Sequence, residues 1–250
     1  MRKISRVERK KRRRRLYFRI FLLALSICFV IILVLNTDLF VINNIEVIGN
    51  DKLSKENIVL GSSIKVGDNI FKISTKEGEN NLKSLAYIKD VKIKRKLPKE
   101  ILIEVVERKE LLQIKNISSL ALVDEEGYIL DLKSHEDENL PLINGLNIDN
   151  KKIGENINVT EDMKLNFEFI KEGHALGLLQ KMKEVDMADN DNINIELNNG
   201  ILIAFGDINN VKYKMSLLNE IIKDINRKGL SCKMILMDRG ENPIIVLNEE

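Results

Sequence analysis

Apolar residues form one long run near the start of the chain and short alternating segments after it. Between Leu16 and Leu35 the run is interrupted only by Tyr17, Arg19, Ser26 and Cys28. A helix of about twenty residues spans about 30 Å, the thickness of the hydrocarbon core of a bilayer. The run therefore predicts a transmembrane helix over residues 16–36, with Arg19 near one end, where its long side chain can reach the headgroups.

The charges on the two sides of this run are unequal. Residues 1–15 form a basic tail in which positions 9–15 are all Arg or Lys, whereas residues 36–38 carry no positive charge. Because basic flanks stay in the cytoplasm, we predict a single-pass type II protein of the cell membrane, with a cytoplasmic N-terminus and an extracellular C-terminal domain. A cleavable signal peptide would have a shorter apolar core followed by a small-residue cleavage site, and the chain shows neither.

The net charge of +2 hides an asymmetry between the tail and the rest of the chain. The first 19 residues hold eleven Lys and Arg against Glu8 alone, so the remainder is net acidic. Nucleic-acid binding needs a basic face, and we therefore predict no nucleic-acid partner for the folded part. A nucleic-acid-binding arm is an alternative interpretation of the tail, but beside a membrane helix its charge is better explained by topology.

The first segment after the anchor, residues 40–108, begins as a strand and a helix. Ile45 and Val47 alternate with polar neighbours, as in a strand with one buried face. Ser54 is a candidate N-cap for a helix that continues through Leu60, because its hydroxyl can accept from an unpaired amide of the first turn.

A second helix and two strands complete this segment. Ser74 and Glu77 have the spacing of a capping box, which predicts a helix through Leu85. Two alternating strands follow, and a proline that cannot donate a ladder bond separates them. The strands are residues 88–94 and 100–107, and the proline is Pro98. The predicted order is strand, helix, helix, strand, strand.

The pattern from residue 109 to 247 predicts a mixed sheet with helices, and hence an α+β fold for the whole chain. Residues 121–130 read as two strands around Gly127, and Asn199-Gly200 is a hairpin turn between two alternating segments. A helix with one apolar stripe ends at Gly229. Its stripe is Val211, Met215, Leu218, Ile222 and Ile225, and the closing strands are 234–237 and 244–247.

Catalytic motifs are scarce in this sequence. Ser62 and Lys65 have the S-x-x-K spacing of penicillin-interacting enzymes, but the S-D-N and K-T-G elements of that site do not occur. Two histidines, His135 and His174, fall short of the three ligands that a catalytic zinc site usually takes. We therefore predict no enzyme, no metal, no cofactor and no small-molecule substrate.

Several segments of residues 40–108 resemble a POTRA module, and segments after it resemble the β domain that follows POTRA in one family. The POTRA-like segments are 40–42, 45–50, 67–71 and 91–98, and the β-domain-like segments are 121–130 and 140–145. A basic tail, one anchor and a POTRA module in this order resemble the bacterial cell-division family FtsQ/DivIB. The resemblance implies a POTRA domain over 40–108, a β domain over 109–247 and a short end at 248–250.

The resemblance also implies a function. It implies a non-enzymatic divisome scaffold at the division septum, which binds FtsL and DivIC/FtsB-type partners and helps to control septal peptidoglycan synthesis. Two alternative functions are a membrane-anchored cell-wall enzyme using Ser62 and Lys65, and a POTRA-bearing polypeptide-transport component. Transport components usually continue into a membrane barrel, for which this chain has no room.

The last strand is the predicted partner-binding site. Pro243 suits the start of an edge strand, and a short β-branched segment follows it. The resemblance places the partner-binding strand here, at Ile244, Ile245, Val246 and Leu247. The alternative is that these four residues pack inward as an ordinary core strand.

Overall fold

The computed structural model describes residues 6–148, 151–158, 160–240 and 242–248. The chain divides into two compact units. The first comprises Met1–Lys83 and Asp90–Val106, and the second comprises Ser84–Lys89 and Glu107–Glu250. The α+β fold predicted from the sequence, with an apolar N-terminal helix ahead of it, is confirmed.

The chain starts with one long helix, α1, which spans Arg6–Asn36. Within it the segment Arg12–Leu33 is long and apolar enough to cross a membrane. Its most apolar 18-residue stretch has a mean hydropathy of 2.6, and none of that stretch is buried against the rest of the chain. A 3-10 turn, Asp38–Phe40, follows the helix. The helix therefore continues the basic tail directly into the apolar run.

The first unit has the predicted order of elements. These are β1 (Asn44–Ile48), α2 (Lys55–Ser62), α3 (Thr75–Lys83), β2 (Ile88–Lys96) and β3 (Glu100–Glu107). Within the described residues, the three strands form a small sheet in the order β1-β3-β2, and β1 runs parallel to β3. The second helix ends at Lys83, two residues before the predicted end.

Serine caps begin both helices of this unit. The amide of Asn57 donates to Ser54 Oγ at 3.2 Å, and the amide of Glu77 donates to Ser74 Oγ at the same distance. These bonds satisfy amides that have no partner within the helix. Ile45 is buried in the small sheet, whereas Val47, predicted to share its face, is only half-buried at the end of β1.

Within the described residues, nine strands of the second unit form one mixed sheet, here called the large sheet. Its order is β12-β11-β10-β9-β8-β7-β4-β5-β6. The first five in chain order are β4 (Leu112–Lys115), β5 (Leu120–Val123), β6 (Ile129–Lys133), β7 (Leu142–Asn144) and β8 (Met182–Asp186). The last four are β9 (Ile193–Leu197), β10 (Leu202–Gly206), β11 (Cys232–Leu236) and β12 (Ile244–Leu247).

Two helices, α4 (Glu161–Ala175) and α5 (Val211–Lys228), pack on one face of the large sheet. The predicted stripe of α5 is buried in the core at all five positions. Gly229 ends this helix in the left-handed conformation, with φ 63°, as predicted. Phe169 of α4 meets Phe205 of β10 edge to face, with ring centroids 5.1 Å apart. The opposite face of the sheet has no helix on it in the described part of the chain.

A buried ion pair lies near the start of the second unit. Arg108 Nη1 lies 2.6 Å from both Asp124 Oδ2 and Glu126 Oε2, and its guanidinium stacks 3.8 Å from the centre of the Tyr128 ring. Asp124 Oδ1 also accepts from the amides of Glu126 and Tyr128, at 3.0 and 2.8 Å. Both oxygens of the Asp124 carboxylate thus accept hydrogen bonds, as a buried charge requires.

Candidate partner-binding edge

The strand predicted to bind a partner lies at the edge of the large sheet. Within the described residues β12 has a single neighbour, β11, and the two strands are antiparallel. The side chains of Ile244, Ile245, Val246 and Leu247 are 36–47 % exposed. The alternative that this strand packs inward as a core strand is therefore wrong.

One hydrogen bond orients the backbone of β12. The amide of Asn248 donates to the carbonyl of Ser231 at 2.9 Å, so it points toward the chain that leads into β11. Because amide direction alternates along a strand, the amides of Val246 and Ile244 also point toward β11. The amides of Ile245 and Leu247 then point away from the sheet. No backbone hydrogen bond from outside the β11–β12 pair reaches those two amides in the described part of the chain.

Both faces of β12 are apolar. Ile245 pairs with buried Ile235, and Leu247 pairs with buried Cys232, so both lie on the face that carries the helices. Ile244 and Val246 lie on the opposite, open face. A strand that is apolar on both sides is typical of the interior of a sheet rather than of its edge.

On the open face, the apolar surface of β12 continues onto the next two strands, β11 and β10. Two rows of side chains cross from β12 to β11 and then to β10. One row is Val246, Met234 and Leu202, and the other is Ile244, Leu236 and Ala204. Further along the same rows lie the carboxylates of Glu196, Glu184 and Asp186. Glu196 forms an ion pair with Lys183 at 2.8 Å, and the Glu184 carboxylate accepts a hydrogen bond from the side-chain amide of Asn144.

A shallow groove of about 370 Å³ lies on this open face, between its apolar and acidic parts. Its lining includes Glu184, Asp186, Leu202 and Met234. Sequence reasoning did not select these residues, because a single sequence does not show which strands become neighbours. The sequence does indicate which alternate positions of each strand face solvent, but every strand with one solvent-facing side shows this pattern.

The other edge of the large sheet is partly covered by the chain itself. At β6 the amide of Ile129 donates to the Glu155 carbonyl at 3.0 Å, and the Ile129 carbonyl accepts from the Gly154 amide at 2.8 Å. Further along β6, the amide of Leu132 donates to the Asp131 carboxylate at 2.8 Å. Some of the groups that could pair with another strand are therefore occupied at β6, whereas the outward amides of β12 are open.

The alternative catalytic pair is not arranged as a reactive site. Ser62 is buried at the end of α2, where its hydroxyl donates to the Val59 carbonyl at 2.7 Å and accepts from the Ile64 amide at 3.2 Å. Lys65 is exposed. Between these two described residues there is no hydrogen bond of the kind that activates a serine nucleophile.

The remaining candidate residues lie apart from one another. His174 Nδ1 is 2.6 Å from Gln180 Nε2, at the end of α4, and His135 lies in the loop after β6. In the described ranges no three His, Cys, Asp or Glu side chains are grouped so that they could hold a metal ion. Cys232, the first residue of β11, is buried in the core of the second unit, and this burial raises the pKa of its thiol.

Comparisons with known proteins match two family models to consecutive parts of the chain. Residues 40–108 match the model described as "POTRA domain, FtsQ-type", and residues 112–237 match the one described as "Cell division protein FtsQ/DivIB, C-terminal". The second match alone covers half of the chain. It ends before β12, so the candidate edge lies outside the matched residues.

Similar proteins include two cell division proteins named DivIB. The one from Clostridium botulinum is 27 % identical over 246 residues, which cover 96 % of this chain and 94 % of the relative. The one from Clostridium tetani is 29 % identical, and the match covers 81 % of this chain and 72 % of the relative. A solved extracytoplasmic domain of DivIB from Geobacillus stearothermophilus matches 48 % of this chain and 96 % of its own, at 14 % identity and a TM-score of 0.31.

Proposed function

Because this chain belongs to the FtsQ/DivIB family of bacterial cell-division proteins, we propose that it is a non-enzymatic, membrane-anchored scaffold of the divisome. In this proposal residues 1–15 are a cytoplasmic tail and residues 16–36 cross the membrane. Residues 40–108 form the POTRA domain, residues 109–247 form the β domain, and residues 248–250 end the chain. The protein acts at the division septum by holding partner proteins.

The open edge of β12 carries the proposal. An edge strand that is exposed, apolar and unprotected is an aggregation hazard unless a partner covers it. Here both sides of the strand are apolar, and the amides of Ile245 and Leu247 point outward. We therefore assign partner binding to Ile244, Ile245, Val246 and Leu247, through addition of a strand from the partner.

The chemistry of the added strand follows from its neighbours. Side chains of the new strand would lie beside Ile244 and Val246 on one face and beside Ile245 and Leu247 on the other. Directly opposite side chains in adjacent strands are about 5 Å apart, so polar groups there would lose contact with water. We expect the added segment to be apolar on both faces, which a short run of β-branched residues provides.

The family makes FtsL and DivIC/FtsB-type division proteins the proposed partners. Through them the scaffold would help to control septal peptidoglycan synthesis. The proposed topology puts the β domain outside the cell membrane, on the same side as the growing wall. Its basis is the basic tail before α1 and the absence of positive charge in residues 36–38.

In-cell photocrosslinking tests the proposed edge. A photoreactive amino acid replaces Ile245 in the full chain, and a matched control replaces Leu132 on the opposite edge of the large sheet. The two positions are 38 % and 40 % exposed, so accessibility is equal. We expect position 245 to crosslink to a small single-span division protein and position 132 to give no such product. Crosslinking of that protein at position 132 alone would place the binding edge at β6.

A further inference from the structure

A loop of the first unit is hydrogen-bonded to the segment that leaves the membrane anchor. The amide of Gly67 donates to the Ile42 carbonyl at 2.9 Å, and the amide of Ile42 donates to the Asp68 carbonyl at 2.8 Å. The amide of Ile70 donates to the Phe40 carbonyl at 2.9 Å. These three bonds fix the loop beside residues 40–42.

The hairpin between β2 and β3 reaches the same end of the unit. The amide of Asn43 donates to the Lys99 carbonyl at 2.9 Å. Arg95, near the end of β2, donates to the carbonyls of Ile70 and Ile73, both at 2.8 Å. Three segments therefore meet where β1 begins. We call them together the proximal end, and they are residues 39–43, 65–72 and 96–99.

The proximal end exposes large apolar side chains. Leu39, Val66, Phe71 and Leu97 all project into solvent, and Phe71 contacts Phe40 edge to face with ring centroids 5.1 Å apart. Exposed lysines, among them Lys65 and Lys72, lie in the same segments. Apolar side chains rimmed by positive charge are typical of surfaces that contact a lipid interface.

The chain that joins the proximal end to the anchor is short. The apolar run ends at Leu35 and the helix at Asn36, and the Thr37 amide still donates to the Leu33 carbonyl at 3.0 Å. A 3-10 turn then leads to Phe40. With about 1.5 Å per helical residue and about 2 Å per 3-10 residue, Phe40 lies within about 14 Å of Leu33 along the chain. The headgroup layer itself is about 5–8 Å deep on each side.

We propose that the proximal end docks on the outer headgroup layer of the bilayer. Leu39, Val66, Phe71 and Leu97 enter the interface between headgroups and acyl chains, and Lys65 and Lys72 contact lipid phosphates. This inference rests on the proposed membrane anchoring of α1. It makes the lipid surface a second attachment for the first unit, which would limit its tilt relative to the membrane.

Tryptophan fluorescence tests this contact, because the chain contains no Trp of its own. The full chain is reconstituted in vesicles of phosphatidylglycerol and phosphatidylethanolamine with bromine on the upper acyl carbons, which quenches nearby indoles. Three single-Trp variants are compared: Phe71→Trp at the proximal end, Ile48→Trp at the far end of β1, and Phe29→Trp inside the apolar segment. Phe71 and Ile48 are 42 % and 43 % exposed, so they form a matched pair.

We expect strong quenching at positions 29 and 71 and little at position 48. Adding Val66→Asn and Leu97→Asn, two exposed changes that leave the core intact, should reduce the quenching at position 71. Quenching at 29 without quenching at 71, or equal quenching at 71 and 48, would overturn the lipid contact and leave the anchor standing. No quenching at position 29 would overturn the anchor as well. Far-ultraviolet circular dichroism checks that every variant is folded.

Discussion

The amide of Asn248 donates to the carbonyl of Ser231 at 2.9 Å, and this bond determines which amides of β12 are open to a partner. With this bond in place, the backbone amides of Val246 and Asn248 point toward β11. The amides of Ile245 and Leu247 point away from the sheet. The side chain of Asn248 strengthens the same attachment, since its amide nitrogen lies 2.6 Å from Ser231 Oγ. Strand addition at this edge, as proposed, would therefore depend on which amides point outward as much as on the side chains of β12.

Two proline variants should separate binding from folding. Ile245→Pro removes an outward amide, so we expect it to abolish partner binding while thermal unfolding changes little. Val246→Pro removes an inward amide and breaks a bond to β11, which should lower stability by about 1 kcal/mol or more. Ile245→Thr keeps the amide and should keep binding. Binding is measured with the purified partner, and wild-type affinity in a folded Ile245→Pro protein would refute strand addition at this edge.

The buried pair of Arg108 and Asp124 should contribute strongly to the second unit. The Asp124 side chain is only 2 % exposed, and removing its cation leaves an unpaired buried charge. We expect Arg108→Ala to lower the free energy of unfolding by about 3–5 kcal/mol. The control is Lys89→Ala, which should cost far less, because its bridges to Glu125 and Glu126 are exposed to solvent. Urea unfolding in detergent measures both, and equal losses would contradict the prediction.

Low pH should lower the stability of the second unit through the ion pairs around Arg108. Hydrogen bonds from Arg108 and Lys89 hold the pKa of Glu126 below its ordinary value of 4.5. A carboxyl whose pKa is lowered by folding adds stability above its unfolded-state pKa, and loses that contribution as the pH falls through the lower, folded-state pKa. We expect urea midpoints to be constant from neutral pH to about pH 5 and to fall below that. Glu126→Gln should flatten the fall, and an unchanged slope would show that Glu126 is not responsible.

Gly145 should be intolerant of any side chain, for a reason beyond its backbone angle. Its φ is 84°, and an added Cβ would lie 2.1 Å from the backbone nitrogen of Ala188. Gly200 has nearly the same φ, 85°, with open space around it. Gly200→Ala should therefore cost only the left-handed strain of about 1–2 kcal/mol, and Gly145→Ala clearly more. Similar melting temperatures for the two variants would mean that the backbone around Gly145 and Ala188 can shift to accommodate the added methyl group.

Membrane topology can be tested with single cysteines. Native Cys232 is unsuitable because it is buried, so Cys28 and Cys232 are first replaced by Ala. Ile117→Cys places a thiol at a position that is 90 % exposed, and Ser5→Cys places one in the basic tail. In intact cells an impermeant maleimide should label position 117 at once and position 5 only after the membrane is opened. Labelling of position 5 in intact cells would reverse the proposed orientation.

Local features of this protein follow from its sequence. The apolar run predicts α1, Ser54 and Ser74 predict two helix caps, and the stripe from Val211 to Ile225 predicts α5. Each of these depends on residues only a few positions apart, because helix periods and capping bonds are local. The resemblance to a family rested on the same short segments and on their order along the chain.

Only the tertiary structure showed that β12 is an edge strand. From the sequence, residues 244–247 could form an edge strand or a core strand. The structure shows an edge strand, because β12 has no neighbour except β11 in the described part of the chain. The coverage of β6 by residues 154–155, and the pairing of Arg108 with Asp124, join groups far apart in sequence. Such contacts depend on how strands are ordered in space. A one-dimensional pattern of apolar and polar positions gives the period of each strand but neither its neighbours nor the direction of its open amides.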